Sequence, residues 1–427
     1  MAEKTKVVIV GAGFGGVKLA KDLAKNDNVH ITIVDRCNHH LFQPLLYQVS
    51  SALLDAEEIA YPIRAIFRNN KNVDFYMAAA RGIDKERKVL LTSYADIPYD
   101  YIVFAVGCTT NFFGNENVEK HSYPMKTLQE AIHLRNHIIH QFERAVRETD
   151  PEIRKKLLSF VIVGGGPTGV EEAGALTELF DVMKKEYRTI DFDKEVSVYL
   201  LEATDKVLPM LSQKLIDETV RVLRKKGVDV RFGAMVTDAS EDGVTLKDGT
   251  VIETRTLIWA SGVKAQPFLA DLGFEVDRGG RIVVNEKLQV KGERDIFAIG
   301  DCASFMHGDM ERPLPTVAPV ATQGALVASE NIQKLMKGQD DSLKTLRYKD
   351  LGTMATIGRG DAVLNNPFDM SGIFAWIAWM AVHLIRLAGP YTNVTVVLKW
   401  IWNFFNGTRV GRIITNQRGL SKDLYQG

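Results

Sequence analysis

The chain has 427 residues, 46% of them hydrophobic and 25% charged, with 53 acidic and 53 basic side chains and a formal net charge of zero. That length accommodates two or three globular domains, and the balanced charge argues against a nucleic-acid binder that relies on a general positive field. The three cysteines, Cys37, Cys108 and Cys302, lie far apart with no CxxC or Cys/His spacing, which argues against a disulfide framework or a metal centre and fits a reducing, cytoplasmic compartment.

The first strand is reached within a few residues, with no charged start leading into an apolar segment, so no secretory signal is expected. Thr5 to Val10 is an apolar, β-rich run and predicts a buried strand. Gly11-Ala12-Gly13-Phe14-Gly15-Gly16 then opens a helical pattern, and a second apolar strand from Val29 to Val34 ends on Asp35. This strand–glycine turn–helix–strand order is the setting a dinucleotide fingerprint requires. The glycines let the backbone approach a pyrophosphate, and the helix N-terminus offers it N–H groups. Asp35, 24 residues after Gly11, is placed to accept hydrogen bonds from an adenosine ribose.

The stretch from Arg36 to Val49 is apolar and aromatic with two glutamines and has no strict period. It is expected near the ring end of a bound cofactor. Tyr101 to Gly107 predicts another buried strand ending in glycine, and Leu128 to Thr149 a long polar helix with a solvated face. Phe160 to Gly174, FVIVGGGPTGVEEAG, repeats the opening theme. A strand meets Gly164-Gly165-Gly166-Pro167-Thr168-Gly169, with Pro167 suited to a helix start. The next strand, Val196 to Leu201, ends on Glu202, 38 residues after Gly164. A carboxylate there accepts from a free ribose 2′-hydroxyl and repels a 2′-phosphate, which favours NADH over NADPH.

Two fingerprints mean two nucleotides, most economically a flavin on the first and a nicotinamide on the second. Hydride transfer between them needs positioning and exclusion of water rather than a protein acid or base. Ile252 to Gly262 is a second strand–glycine exit matching Tyr101 to Gly107. The pairing predicts an NADH domain over 113–267 inserted into a flavin domain of 1–112 and 268–345. Asp295 to Ala303 returns a short strand carrying Gly300-Asp301, where Asp301 is placed for a ribityl hydroxyl. A helix is expected behind Pro315, its dipole directed at the flavin ring.

Residues 346–427 form the remaining region. Ile373 to Val382 gives ten consecutive apolar residues before His383 and Arg386. On a helix, Trp376, Trp379, His383 and Arg386 share one face, and Phe374, Ile377, Ala381 and Ile385 the other. A second helix, Val394 to Phe405, sets Thr395, Lys399 and Asn403 against Val397, Ile401 and Phe404. The run is shorter than the roughly 20 residues of a membrane span. The pair suits a membrane interface instead.

With these residues in view, the chain resembles the type II NADH:quinone oxidoreductases, essentially end to end. The resemblance is carried by Gly11 to Gly16, Phe42 to Val49 (FQPLLYQV), Gly164 to Gly174, Ile299 to Cys302, Met354 to Val363 (MATIGRGDAV) and the paired tail. It implies an α/β fold of two Rossmann-like domains plus C-terminal membrane-anchoring helices. One non-covalent FAD is expected in the first domain. NADH in the second reduces FAD, which then reduces a membrane quinone, ubiquinone or menaquinone, without proton pumping. A peripheral position on the cytoplasmic face of the cell membrane is implied, and a homodimer is allowed. Phe14, Arg36, Gln43, Gly107 and Ala321 join the implied flavin contacts, and Thr168 and Gly262 those of NADH. Gln48, Pro319, Gln323 and Arg359 are implied on the quinone side, with Glu171 and Gln323 as catalytic candidates. One departure stands out. The family's Ala-Gln-x-Ala-x-Gln segment reads Ala318-Pro319-Val320-Ala321-Thr322-Gln323 here, so its first glutamine is lost. A sulfide:quinone oxidoreductase would need a reactive cysteine pair, as would a disulfide reductase, and none emerges. A flavin-bearing signalling protein that responds to NADH is the reading of a different class.

Overall fold

The computed structural model describes residues 4–308, 310–407, 409 and 411–415. Compactness divides the chain into two units, each discontinuous in sequence. The first holds 1–41, 61–109 and 263–351; the second holds 42–60, 110–262 and 352 onward. The division expected from the sequence kept 42–60 with the flavin domain and the tail by itself, whereas both group with the second unit. Residues 416–427 of that tail lie outside the described residues.

Each unit is built on a five-stranded parallel sheet. In the first, the order is Ile296–Ala298, Tyr101–Phe104, Thr5–Val10, Val29–Asp35, Val73–Met77. In the second it is Ser122–Pro124, Thr256–Trp259, Ser159–Val163, Ser197–Leu201, Val228–Arg231. These strands are short and rich in Val, Ile and Leu because both sheet faces are covered. The fingerprint strand sits centrally in both, with its crossover helix leading to one side and the strand-exit segment on the other. Its C-terminal end is therefore a topological switch point, where such sheets open a crevice.

Several expectations shift in detail. The 252–262 run is two strands, Val251–Glu253 and Thr256–Trp259. Between them the Thr254 hydroxyl turns inward to bond Ser159 O. The helix expected behind Pro315 is Ala318–Leu335, with Pro319 in its first turn, where a missing N–H costs nothing. The Leu128–Arg147 helix is not a solvated face: Leu134, Ile138, Ile139 and Phe142 are buried, and Phe142 packs with Phe160, Phe180 and Phe192. His137 is half-buried beside them. Its Nε2 faces Arg255 O at 3.0 Å, its Nδ1 faces Tyr123 Oη at 2.8 Å, and burial pushes its pKa down to about 3. The polar letters of this helix conceal a core.

The tail helices, Gly372–Arg386 and Pro390–Asn406, turn part of their polar side chains inward, while Arg386 and Asn406 are exposed. Trp379, Thr392, Val396, Trp400 and Asn403 are buried, while Phe374 (73% exposed), Ile385 (83%) and Phe405 (77%) face outward with Ile377, Leu398, Ile401 and Trp402. Lys399 holds the second helix to Asp55 and Glu58. Among the described residues no helix is long and apolar enough to cross a membrane.

Candidate functional site

The two fingerprints are superimposable in their bonding. Gly11 N donates to Val34 O at 2.8 Å, and Gly164 N donates to Leu201 O at 2.8 Å. Gly11 has φ +105° and Gly164 φ +112°; a Cβ on either would meet the carbonyl of Ala105 at 2.4 Å or of Ala260 at 2.8 Å. Gly16 and Gly169 press their helices onto the turn, since a Cβ on each would lie 1.9 Å from Gly11 O or Gly164 O. Gly13 and Gly166 are different. Each caps its helix without a side-chain hydrogen bond, and a Cβ there would meet nothing within 4 Å. Both helix starts therefore leave N–H groups beside open space that a diphosphate fits.

The acidic partners are oriented alike. Asp35 accepts from Ala12 N at 2.7 Å and Cys37 N at 2.8 Å. Glu202 accepts from Gly165 N at 2.7 Å and Thr204 N at 2.7 Å. The two loops thus aim a carboxylate along the rim of each crevice, where a ribose would lie. Arg36 is exposed beside Asp35, Pro167 and Thr168 stand in the first turn after Gly166, and Phe14 opens the first helix. Gly107 has φ +67° at the strand exit of the first unit, as Gly262 has φ +74° at that of the second. In the first unit, Gly300 approaches Ala321 so closely that a Cβ would sit 2.9 Å from the alanine Cβ. Asp301 accepts from Cys108 Sγ at 3.0 Å.

A narrow cleft, partly open to solvent, lies within the second unit. Trp376, Trp379, Trp400 and Met380 give it apolar walls; Tyr47, Gln48, Arg359 and Arg409 give it polar ones. Of the expected quinone-side residues it collects Gln48 and Arg359. Pro319 and Gln323 belong to the first unit, where both ends of the Gln323 amide bond the Lys349 backbone at 2.9 Å. Gln43 in the second unit donates to Lys126 O at 3.1 Å. Arg359 donates to Asn403 O and Phe404 O, capping the last helix where its carbonyls are unpaired.

Beside the cleft runs a line of carboxyl groups on the Pro167–Met183 helix. Glu171 is buried, with Thr356 N at 3.4 Å. Burial outweighs the help of that N–H and of Trp379, and pushes its pKa up to about 8. Glu172 is also buried. Ser50 Oγ lies 2.7 Å from Oε2, and Oε1 has no partner among the described residues. Burial raises it too, to about 8. Both are therefore held as neutral acids near pH 7. Glu178 is the contrast: burial would raise it, but Arg409 and Lys226, with the Arg359 N–H, hold it below its ordinary value. Arg409 Nη2 lies 2.8 Å and Lys226 Nζ 3.0 Å from its oxygens.

The sign for stability follows. A folded pKa raised above the ordinary 4.5 stabilises fully below that value, and the contribution is lost as pH rises through about 8. Glu172→Gln keeps a partner for Ser50 and removes the titration. The variant is expected to flatten the fall of stability between pH 6 and 8 by about 1 kcal/mol per pH unit, read from urea midpoints.

Sequence reasoning missed Tyr47, Glu172, Glu178 and Arg409. The signal for Glu178 was available: it lies seven residues after Glu171, on the same helical face. For Arg409 there was none, because its partner is 231 residues away.

A family model described as "Pyridine nucleotide-disulphide oxidoreductase" matches residues 5–325. The chain is 38% identical over 432 residues to the type II NADH:quinone oxidoreductase Ndh of Mycobacterium tuberculosis, covering 98% of this chain and 92% of that one. Its fold is similar to NDH2 from Plasmodium falciparum, solved in complex with NADH, with a TM-score of 0.86 at 21% identity over 96% and 99% of the two chains. It is less similar to the sulfide:quinone oxidoreductase of Aquifex aeolicus, at 0.66 and 16% over 95% and 96%. Duplicated dinucleotide cradles, a paired apolar tail and end-to-end kinship agree: the chain belongs to the type II NADH:quinone oxidoreductases, FAD-dependent enzymes that oxidise NADH and reduce a quinone.

Proposed function

We propose that Gly11, Gly13, Gly15 and Gly16 with Asp35 hold FAD, and that Gly164, Gly166 and Gly169 with Glu202 hold NADH. The observation that carries this assignment is the duplicated cradle, in which Gly13 and Gly166 alone open onto unfilled space. FAD supplies the two-electron carrier between the two substrates when bound. Phe14, Arg36, Gly107, Asp301 and Ala321 complete its cradle, and Pro167, Thr168 and Gly262 complete that of NADH. The quinone headgroup enters the cleft of the second unit, between the tryptophans and beside Gln48 and Arg359. Glu171 stores a proton there. NADH delivers a hydride, which is two electrons and one proton, and a quinol needs two protons. One proton per turnover therefore comes from the medium, and a buried acid that is neutral near pH 7 is suited to pass it.

Anaerobic mixing of the FAD-loaded protein with NADH, followed by a short-chain quinone, tests the assignment. Bleaching near 450 nm and its recovery are expected. Bleaching by sulfide alone would move the chain to the sulfide enzymes. The cysteines argue against that outcome: Cys302 is buried against Phe104 O and Ile299 O, and Cys108 is engaged by Asp301.

The outward apolar face of the tail helices supports seating on the membrane surface, with the protein peripheral on the cytoplasmic side. Five or six such side chains, at about 1.5–3 kcal/mol each when fully buried, suffice for reversible anchoring. Phe374→Glu with Ile385→Glu is expected to shift the protein from the liposome pellet to the supernatant with NADH bleaching unchanged. Unaltered co-sedimentation would refute the anchor.

A further inference from the structure

Gln48 bridges two neighbours. Its Oε1 lies 2.7 Å from Trp400 Nε1, and its Nε2 lies 2.7 Å from Tyr47 Oη. The orientation of this amide is fixed by chemistry. An indole N–H only donates, so the Gln48 atom facing it is the oxygen and the atom facing Tyr47 is the nitrogen. An amide nitrogen in turn only donates. Tyr47 Oη therefore accepts from Gln48, and its own hydrogen points elsewhere. Among the described residues that hydrogen has no acceptor. Tyr47 is 5% exposed and lines the cleft. A buried hydroxyl hydrogen without an acceptor costs free energy unless a ligand supplies one.

We propose that the Tyr47 hydroxyl donates a hydrogen bond, and then its proton, to a quinone oxygen bound in this cleft. The inference rests on the cleft being the quinone site. In the transfer the Tyr47 O–H bond breaks and a quinol O–H bond forms, with no electrons moved. The phenolate then recovers the proton supplied by the medium, directly or by way of the neutral Glu171 carboxyl beside the cleft. Burial and then the Glu178 carboxylate disfavour the phenolate, while the Gln48 N–H and Arg409 favour it, so the charge is short-lived and the proton is returned quickly. Gln48 and Trp400 are positioning residues: the one hydrogen bond they pass to Oη turns its hydrogen toward the cleft. Trp400 belongs to the helix that also carries the outward apolar face.

Tyr47→Phe preserves the buried ring and removes the donor. In FAD-loaded full-length protein, bleaching by NADH is expected at the wild-type rate, with recovery by a short-chain ubiquinone slowed about 100-fold, the span of one positioned acid. A second readout needs no turnover. Trp376, Trp379 and Trp400 line the cleft, so titrating oxidised protein with the same quinone is expected to quench tryptophan fluorescence, with binding to the variant weakened about 3–10-fold for one lost hydrogen bond. Recovery within twofold of wild type would overturn the proposal. Met380→Trp, which fills the cleft, separates the two layers. If it blocks recovery while Tyr47→Phe does not, Tyr47 is excluded and the cleft stands. If neither matters, the cleft assignment itself fails and the proposal with it. Should Tyr47→Phe lose FAD, difluorotyrosine at position 47 decides. It keeps the hydroxyl and acidifies it, so the recovery rate at pH 6–7, where Glu171 is still protonated, must change. A rate unchanged from wild type overturns the proposal.

Discussion

Gly166→Ala is expected to leave the protein folded and FAD-loaded while raising the KM for NADH about 10–100-fold, a loss of about 1.4–2.8 kcal/mol. The added methyl meets no protein atom within 4 Å, so any defect reports a ligand rather than the fold. Gly169→Ala, three residues on, is the internal contrast. Its methyl would lie 1.9 Å from Gly164 O, and the turn itself must break, with loss of soluble protein. Glu202→Arg on the wild-type background should weaken NADH and improve NADPH, because the carboxylate that a ribose hydroxyl needs becomes a partner for phosphate. Steady-state kinetics with both nucleotides, alongside flavin content, check all three. If Gly166→Ala instead sheds FAD and keeps its NADH kinetics, the two cradles have been assigned the wrong way round.

The second large effect concerns Glu178. Glu178→Ala strips the carboxylate from a fully buried Arg409 and from Lys226. Removing one partner of a buried pair costs about 3–5 kcal/mol, because the remaining charge has neither water nor counter-ion. Against a total stability of about 5–15 kcal/mol, the urea midpoint should fall by roughly a fifth or more. Glu178→Leu combined with Arg409→Leu should lose less than Glu178→Ala alone, since the fully buried guanidinium is then no longer stranded and only the partly exposed Lys226 loses its partner. A single-variant loss below about 1 kcal/mol would mean that Arg409 finds water or another partner.

Most of the nucleotide architecture was legible in the sequence for a local reason. A fingerprint strand, its turn, its helix and its acidic partner occupy 31 consecutive residues in the first unit and 44 in the second, and Thr5–Val10 is a strand over the predicted residues. The tail was legible in part. The two faces of the Gly372–Arg386 helix were separable by period, but period does not say which face is covered. That Lys399 and Asn403 turn inward depends on Asp55, Glu58 and Arg359, which are distant in sequence. The cleft was the least legible. The FQPLLYQV stretch has no period because it is a short 3₁₀ turn followed by a five-residue helix, Leu46–Ser50, buried throughout. Its proposed role lies in one hydroxyl whose direction depends on an indole 353 residues later.

The Arg409–Glu178 pair also has a consequence in time. Arg409 follows Glu178 by 231 residues, an interval of about 10–50 s at a translation rate of roughly 5–20 residues per second. Through that interval the Glu178 carboxylate has only Lys226 as a counter-charge. The nascent second unit is expected to keep this region hydrated until the segment carrying Arg409 has emerged. The same interval leaves the helix open to proteases and available to chaperones. A ribosome stalled before residue 409 should therefore display a nascent chain that is cleaved within 167–183, where the finished protein is not.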